Sequence, residues 1–231
     1  MRKTILIAGG SSGIGLELAR HYIADGHRVC ITGRRDPNLP GAHFFQLPIG
    51  ASADALIPAI NELVSAFPGV QTLVYAAAFL QRGSIETLSD EALLTMTNVG
   101  IVAPMMLASR LKLLAPTPLK LMLITSSSQY TPRAQEPAYA ATKAGLGMLG
   151  ASLVRDAGIG KVLVAAPSGI RTPFWSGTDE DTTSMLDPAW VANQIVELSG
   201  GAFKYRYAKI LRNPARVEVV ETLDNSFAPV I

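Results

Sequence analysis

A chain of 231 residues with 48% hydrophobic and 16% charged side chains is long enough to bury a large core and too apolar to be disordered. Twenty Lys and Arg against 18 Asp and Glu leave a net charge of +2, which gives no reason to expect nucleic acid or an anionic membrane as a partner. The single cysteine, Cys30, excludes a disulfide framework within the chain, and its apolar neighbours predict a buried core residue.

Short apolar runs alternate with longer amphipathic segments along the whole chain. The predicted strands are 4–8, 28–32, 43–47, 71–75, 119–125, 162–166 and 208–212. The predicted helices are about 13–25, 53–67, 90–114 and 139–156, with another beginning near residue 187. This alternation predicts an α/β fold, a Rossmann-like, doubly wound, mainly parallel seven-stranded sheet with helices on both faces. No convincing linker divides the chain, so we expect one domain over residues 1–231.

The amino terminus superficially imitates a signal peptide, because basic residues precede an apolar stretch. That stretch ends in Gly9 and Gly10, too early for the apolar segment of a signal peptide. No other run approaches the length needed to span a membrane. We therefore expect a cytoplasmic protein that does not use a membrane.

A glycine-rich loop lies between the first predicted strand and the first predicted helix. Glycines allow the backbone to turn sharply and to approach a pyrophosphate, whose charge then meets free N–H groups at the start of the helix. The order of strand, loop and helix is the one that dinucleotide binding requires, although a purely structural turn is the alternative. The predicted cofactor contacts are Gly9, Ser11, Ser12, Gly13, Ile14 and Gly15.

The second predicted strand is followed by Arg34 and Arg35, where an NAD-binding protein usually has an acidic residue for the ribose 2′-hydroxyl. The guanidinium group of Arg34 suits a 2′-phosphate, and Ser11 or Ser12 can add a hydroxyl. We therefore predict NADP(H) as the cofactor. The alternative is two solvated surface arginines.

Tyr139 and Lys143 are four residues apart on a predicted helix, so both side chains point to the same region. We expect the nicotinamide ribose there, so both residues are also predicted cofactor contacts, with Lys143 holding the ribose hydroxyls. A positive charge from Lys143 favours the phenolate form of Tyr139, which can then serve as a general acid and base. Ser126 follows a strand at the carboxyl end of the sheet and is the predicted hydrogen-bond partner of a substrate oxygen. A Tyr and Lys at this spacing also occur by chance on amphipathic helices.

Together, the glycine loop, Ser126, Tyr139 and Lys143 resemble the single-domain type of the short-chain dehydrogenase/reductase family over nearly the whole chain. The resemblance selects Ser126, thirteen positions before Tyr139, over its two serine neighbours. It implies that Asn98 completes a proton relay. It also implies cofactor contacts from Ala76, Pro167, Ile170 and Thr172.

The sequence departs from the family pattern at four places. Residues 75–78 are Tyr-Ala-Ala-Ala where the family usually has Asn-Asn-Ala-Gly, and Pro48 replaces an Asp that often contacts the adenine. Ser168 replaces a glycine, and the segment between Lys143 and Pro167 is about one helical turn short. All of the proton-transfer groups are retained.

A short substrate lid is expected at about residues 173–187, by resemblance to the family. Phe174 and Trp175 can cover an apolar or aromatic carbonyl compound, while Gln129 offers a polar contact. The alternative is that the two aromatic side chains only anchor the loop. His21, His27 and His43 lack acidic or cysteine neighbours at ligand spacing, so no metal site is expected.

We therefore predict an NADP(H)-dependent carbonyl reductase whose substrate is a small carbonyl compound or alcohol. The alternative is a nicotinamide-binding regulatory or scaffold protein with the same fold and little or no turnover. The Ala-, Leu-, Met- and Gly-rich helices 90–114 and 139–156 predict faces buried in a homodimer or homotetramer, as in family members.

Overall fold

The structure, a computed structural model, describes residues 2–224 and residue 226. Within these residues, the strands form one eight-stranded sheet. The order of strands in the sheet is β3-β2-β1-β4-β5-β6-β7-β8, and all are parallel except β8. The strands are β1 Thr4–Ala8, β2 Arg28–Gly33, β3 Ala42–Gln46, β4 Thr72–Tyr75, β5 Leu119–Ile124, β6 Ile159–Pro167, β7 Tyr205–Leu211 and β8 Arg216–Leu223. The predicted doubly wound α/β fold is confirmed.

The predicted count of seven strands was wrong, because the chain returns after β7 and adds β8 at the edge of the sheet. β8 pairs antiparallel with β7, from Tyr205 opposite Leu223 to Leu211 opposite Arg216. Most of its residues are exposed, so it lacks the continuous apolar run that marks the buried strands. Its residues mix Val with Glu and Arg, which is typical of a solvated edge strand.

Helices cover both faces of the sheet, and two of them begin with a side-chain cap. The helices are α1 Gly13–Ala24, α2 Ala53–Ala66, α3 Asp90–Thr97, α4 Ala103–Leu114, α5 Pro137–Leu153 and α6 Pro188–Ser199. The Ser89 hydroxyl accepts from the Ala92 N–H at 3.2 Å, and the Asp187 carboxylate accepts from the Trp190 N–H at 3.0 Å. These bonds satisfy N–H groups that have no partner within the helix.

The long helix predicted at 90–114 is interrupted by a π-helical segment, Asn98–Val102, between α3 and α4. Such a segment widens the helix locally and changes the hydrogen bonding of its carbonyl groups. The Tyr75 hydroxyl, fully buried at the end of β4, donates to the Val99 carbonyl oxygen inside this segment. Tyr75 therefore points into the core, where its hydroxyl satisfies a backbone group.

The combined run Asp90–Leu114 is 25 residues long and, by length and composition, apolar enough to cross a membrane. The sequence prediction had found no run of this kind. In the fold, Val99, Ala103, Leu107 and Leu111 of this run are buried in the cluster between the sheet and its helices. The run therefore packs as a core helix, whose apolar face is turned toward the sheet.

Two apolar clusters, one on each face of the sheet, hold the layers together. One joins the sheet to α2, α4 and α5 and includes Leu56, Leu107 and Leu146. The other joins it to α1 and α6 and includes Leu18 and Ile195. The strand order reverses between β1 and β4, and at such a point the loops after neighbouring strands diverge and leave a crevice.

Candidate active site

A cleft of about 540 Å³ opens at the carboxyl ends of the parallel strands. Its walls come from the loops after β1 to β6 and from α5, so residues far apart in the sequence meet there. Nearly all of the predicted site residues line it. Those lining it are Gly9, Ser11, Ser12, Gly13, Ile14, Arg34, Ala76, Ser126, Tyr139, Lys143, Pro167, Ile170, Thr172, Phe174 and Trp175.

The glycine loop follows β1 directly, and its first residue, Gly9, has no room for a side chain. Gly9 has a φ of +81°, and a Cβ atom there would lie 2.6 Å from the backbone N and Cα of Ala77. Ser12 precedes α1, and its side chain makes no capping hydrogen bond. The N–H groups of the first turn of α1 are therefore left for a ligand in the cleft, where the helix dipole favours negative charge.

Gly15, one of the predicted cofactor contacts, does not line the cleft. A Cβ atom at Gly15 would lie 2.2 Å from the Gly9 carbonyl oxygen. This glycine instead allows the first turn of α1 to pack directly on the loop. Gly15 therefore supports the shape of the glycine loop without contacting the cleft.

One end of the cleft combines an arginine with an apolar wall. Arg34 is exposed after β2, and its guanidinium group forms no ion pair with any residue in 2–224 or with residue 226. Leu47, Pro48 and Ile49 line the same cleft. An arginine that is free of carboxylates can bind a phosphate, and the apolar wall fits a flat heterocycle such as adenine.

Ser126, Tyr139 and Lys143 meet at the floor of the cleft. Tyr139 and Lys143 lie on successive turns of α5, and both are buried. The Lys143 Nζ donates to the Ile124 carbonyl oxygen at 3.2 Å and lies 5.6 Å from the centre of the Tyr139 ring. Ser126, two residues after β5, lines the same part of the cleft and lowers the pKa of the Tyr139 hydroxyl.

Burial is the largest cause of the pKa shifts of Tyr139 and Lys143 on α5. It raises the pKa of Tyr139 well above its ordinary value, although Ser126 lowers that pKa and Glu136 raises it. Burial lowers the pKa of Lys143 from 10.5 to about 8. In the protein alone, Tyr139 is therefore a protonated phenol at neutral pH, which is the form that can donate a proton.

Two predicted catalytic or substrate-binding residues lie outside the cleft. The Asn98 amide donates to the Ala51 carbonyl oxygen at 2.9 Å, so this side chain holds the loop after β3. The Gln129 side chain packs against the backbone of Gly147 in α5. Neither amide reaches Tyr139 or Lys143, because the π-helical segment and the turn after Ser126 direct them toward the backbone of other elements.

The other end of the cleft holds a charged group that is not among the predicted site residues. Arg82 lies between two carboxylates, 3.3 Å from Glu136 and 2.7 Å from Glu180. Glu136 precedes α5 and is buried, and its other oxygen accepts from the Ser128 hydroxyl at 3.2 Å. The position of Glu136, three residues before Tyr139, was an available signal. No local sequence pattern marks Arg82, because its two partners are far from it in the sequence.

The predicted lid forms one wall of the cleft and begins with a short 3-10 turn, Pro173–Trp175. The Trp175 indole N–H donates to the Ile170 carbonyl oxygen at 2.9 Å, which anchors the turn. Phe174 packs edge-on against Trp175, with ring centres 5.1 Å apart, and its centre lies 6.1 Å from that of Tyr139. The lid therefore places an aromatic surface directly beside the buried phenol.

Comparison with curated proteins identifies oxidoreductases as relatives. The oxidoreductase DltE of Bacillus subtilis is 29% identical over 184 residues, which cover 71% of this chain and 70% of that protein. The 3-oxoacyl-[acyl-carrier-protein] reductase MabA of Mycobacterium tuberculosis is 25% identical over 219 residues, which cover 93% of this chain and 82% of that protein.

Solved structures and family models agree with these relatives. An alcohol dehydrogenase from Thermococcus sibiricus, solved with 5-hydroxy-NADP, superposes with a TM-score of 0.77 at 17% identity and covers 94% of this chain and 100% of that one. At this identity the likeness concerns the fold alone. The family model for short chain dehydrogenases matches residues 3–183. The chain therefore belongs to the short-chain dehydrogenase/reductase family of oxidoreductases.

Proposed function

We propose that this oxidoreductase uses NADP(H) to transfer hydride between the nicotinamide and a carbonyl compound or secondary alcohol, with Tyr139 as the general acid and base. One observation carries the proposal: Tyr139, Ser126 and Lys143 lie together in a cleft whose other end is formed by the glycine loop. The name of one relative, a 3-oxoacyl-[acyl-carrier-protein] reductase, agrees with chemistry at a carbonyl carbon.

The residues of the cleft fit a dinucleotide phosphate. The N–H groups beside Gly13 can bind the pyrophosphate, and Arg34 can bind a 2′-phosphate without first breaking an ion pair. Ala76, Ile170 and Thr172 line the intervening wall, where they can contact the ribose and the nicotinamide. The bound cofactor would supply or accept the hydride, which no side chain of the protein can do.

Proton transfer is the task of the protein's own residues. In reduction, the Tyr139 hydroxyl donates its proton to the carbonyl oxygen of the substrate, and in oxidation the phenolate takes the proton of the alcohol. The cationic Lys143 stabilises the phenolate that remains after reduction. Ser126 contacts the same oxygen position, and Phe174 and Trp175 shield it from water.

The decisive experiment measures NADPH oxidation by the purified protein with a panel of ketones and aldehydes, and NADP⁺ reduction with the corresponding alcohols. Turnover of any of these substrates supports the proposal. Tight NADPH binding with no turnover across a broad panel would instead support a regulatory or scaffold protein of the same fold.

The cofactor preference gives a prediction at Arg34. In Arg34→Ala, we expect NADPH to bind about 10–100-fold more weakly and NADH affinity to change little, because one charge-assisted contact to the 2′-phosphate is lost. Fluorescence titration with both cofactors measures this. Arg35→Ala is the matched control, because Arg35 is a neighbouring exposed arginine that does not line the cleft. Tighter binding of NADH than NADPH by the unchanged protein would contradict the NADP(H) assignment.

A second prediction concerns the contact between Arg82 and the lid. Glu180→Gln removes the 2.7 Å ion pair, so we expect the lid to order less well and KM for the carbonyl substrate to rise about 3-fold, the scale of a partly exposed ion pair. Steady-state kinetics measure KM. Asp179→Asn removes the same charge from the neighbouring exposed position and should leave KM unchanged. Equal effects of the two variants would mean that general charge, and not the Arg82 contact, controls the lid.

We also propose that the protein works in the cytoplasm as a homodimer or homotetramer. Exposed apolar side chains on α3, α4 and α5 support the oligomer, because such residues are usually covered by a partner. These residues are Leu94, Met105, Leu113, Leu114 and Met148.

A further inference from the structure

Two arginines that line the cleft have no part in the hydride or proton transfer proposed above. Arg133 lies on the loop after β5, and Arg212 directly follows β7. The Arg133 guanidinium donates to the Ser127 hydroxyl at 2.9 Å. Among the described residues 2–224 and 226, neither arginine has a carboxylate within ion-pair distance, and Arg212 makes no hydrogen bond. Both guanidinium groups are therefore free to bind an anion in the cleft.

The fold brings these arginines to either side of the loop that follows β6. β5 and β7 are the two neighbours of β6 in the sheet, so their carboxyl ends lie about 10 Å apart, which is two strand spacings. Ser168 directly follows β6 and also lines the cleft, and its hydroxyl makes no hydrogen bond within the part of the chain that the structure describes. Because arginine side chains are long, groups from all three strands can reach one small anion.

The other charged side chains at this end of the cleft are already paired with one another. Arg82 contacts both Glu136 and Glu180. Apart from the catalytic pair on α5, the three arginines and two glutamates described here leave one net positive charge. A carboxylate carries one negative charge and would balance it. A phosphate carries nearly two at neutral pH and would leave an excess of negative charge beside the glutamates.

We propose that Arg133 and Arg212, together with the Ser168 hydroxyl, bind a carboxylate of the substrate, so that the preferred substrate is an oxo acid or the corresponding hydroxy acid. The inference rests on the proposed function, because it names the substrate class of the same site. Ser127, which Arg133 contacts, is the chain neighbour of Ser126. The carboxylate and the reacting carbonyl group are therefore separated by a short spacer, which the aromatic lid can cover.

The test compares straight-chain oxo acids, with one to four methylene groups between the carbonyl and the carboxylate, with their methyl esters as substrates for NADPH-dependent reduction. We expect kcat/KM for the best acid to exceed that for its ester about 10–100-fold, the scale of hydrogen bonds to a charged group. The difference should lie mainly in KM, because the carboxylate takes no part in the reaction. Turnover without a preference for the acid in any pair would overturn the inference and leave the proposed function intact. A ketone carrying a phosphate that is preferred over every acid would overturn the choice of a carboxylate.

Arg133→Ala and Arg212→Ala connect the preference to these two side chains. Each should lower the acid-to-ester ratio of kcat/KM about 3–10-fold, because both guanidinium groups are partly screened by water. Arg216→Ala removes the same charge from an exposed position at the start of β8, outside the cleft, and should leave the ratio unchanged. An unchanged ratio in both cleft variants, or an equal loss in Arg216→Ala, would contradict the assignment. A loss of NADPH affinity as large as the loss in the ratio would assign the arginines to the cofactor instead.

A second readout does not depend on turnover. In calorimetric titrations with NADP⁺ present, pentanoate should bind to the unchanged protein and several-fold more weakly to Arg133→Ala and Arg212→Ala, whereas the uncharged pentanamide should bind far more weakly to all three. This result without turnover of any carbonyl compound would retain the carboxylate site and reject the proposed function. Equal binding of pentanoate and pentanamide to the unchanged protein would overturn the inference.

Discussion

Replacing Tyr139 by Phe is expected to lower kcat for carbonyl reduction about 10²–10⁴-fold, the usual contribution of one general acid. The substitution removes only the hydroxyl, and the ring can still pack against Phe174 and the apolar cluster of Leu88, Ala92 and Met96. NADPH affinity should change little, because the residues proposed to bind the pyrophosphate and the 2′-phosphate lie at the other end of the cleft. Steady-state kinetics and NADPH fluorescence titration measure the two quantities separately.

Tyr130→Phe is the matched control for this variant. The Tyr130 hydroxyl oxygen is buried and makes no hydrogen bond with any of the residues that the structure describes, so its loss should affect neither kcat nor folding. If Tyr139→Phe retained more than about a tenth of the activity, a different group would have to supply the proton, and the assignment of the general acid would be wrong.

Local sequence patterns were sufficient to predict residues from several of the loops that line the cleft. Both the glycine loop and the Tyr139–Lys143 pair depend on short spacings along one loop or one helix, and the fold places each as expected. The parallel strands could also be predicted, because buried strands have continuous apolar runs. A residue at the carboxyl end of such a strand, Ser126 for example, then reaches the cleft whatever the details of the connecting segments.

Contacts between distant segments could not be predicted in this way. The direction of the Asn98 side chain depends on a π-helical segment and on a loop 47 residues earlier. The ion pairs of Arg82 join residues 54 and 98 positions away, so no local pattern marks them. β8 was missed because an edge strand does not need the apolar run that identifies a buried one.

Lys143 shows how the requirements of the site oppose those of folding. Its ammonium group is buried beside the Tyr139 ring, and the hydrogen bond to the Ile124 carbonyl oxygen compensates only partly for the lost hydration. A buried cation next to the phenol is nevertheless what stabilises the phenolate in the proposed reaction. The protein therefore retains a destabilising charge at the position where its proposed chemistry requires one.

Lys143→Met is accordingly expected to produce a more stable but nearly inactive protein. Turnover should fall about 10²–10³-fold, because the charge that stabilises the phenolate is lost. The free energy of unfolding of the cofactor-free protein should rise by about 2 kcal/mol at neutral pH. Burial lowers the pKa of Lys143 from 10.5 to about 8, which corresponds to about 3 kcal/mol. The lost hydrogen bond to Ile124 offsets about 1 kcal/mol of this gain.

The dependence on pH makes the prediction specific. The folded pKa of Lys143 lies below the unfolded one, so the cost of charging it is complete below about pH 8 and disappears as the pH rises toward 10.5. Denaturant unfolding should therefore show a higher free energy of unfolding for Lys143→Met than for the unchanged protein at neutral pH. The difference should be much smaller at about pH 10. Lys120→Met removes the same charge from a partly exposed position on β5 and should show no such difference. If Lys143→Met were less stable than the unchanged protein at neutral pH, the interactions of the ammonium group in the folded state would compensate for its burial. The buried charge would then not lower the free energy of unfolding, and the prediction would be wrong.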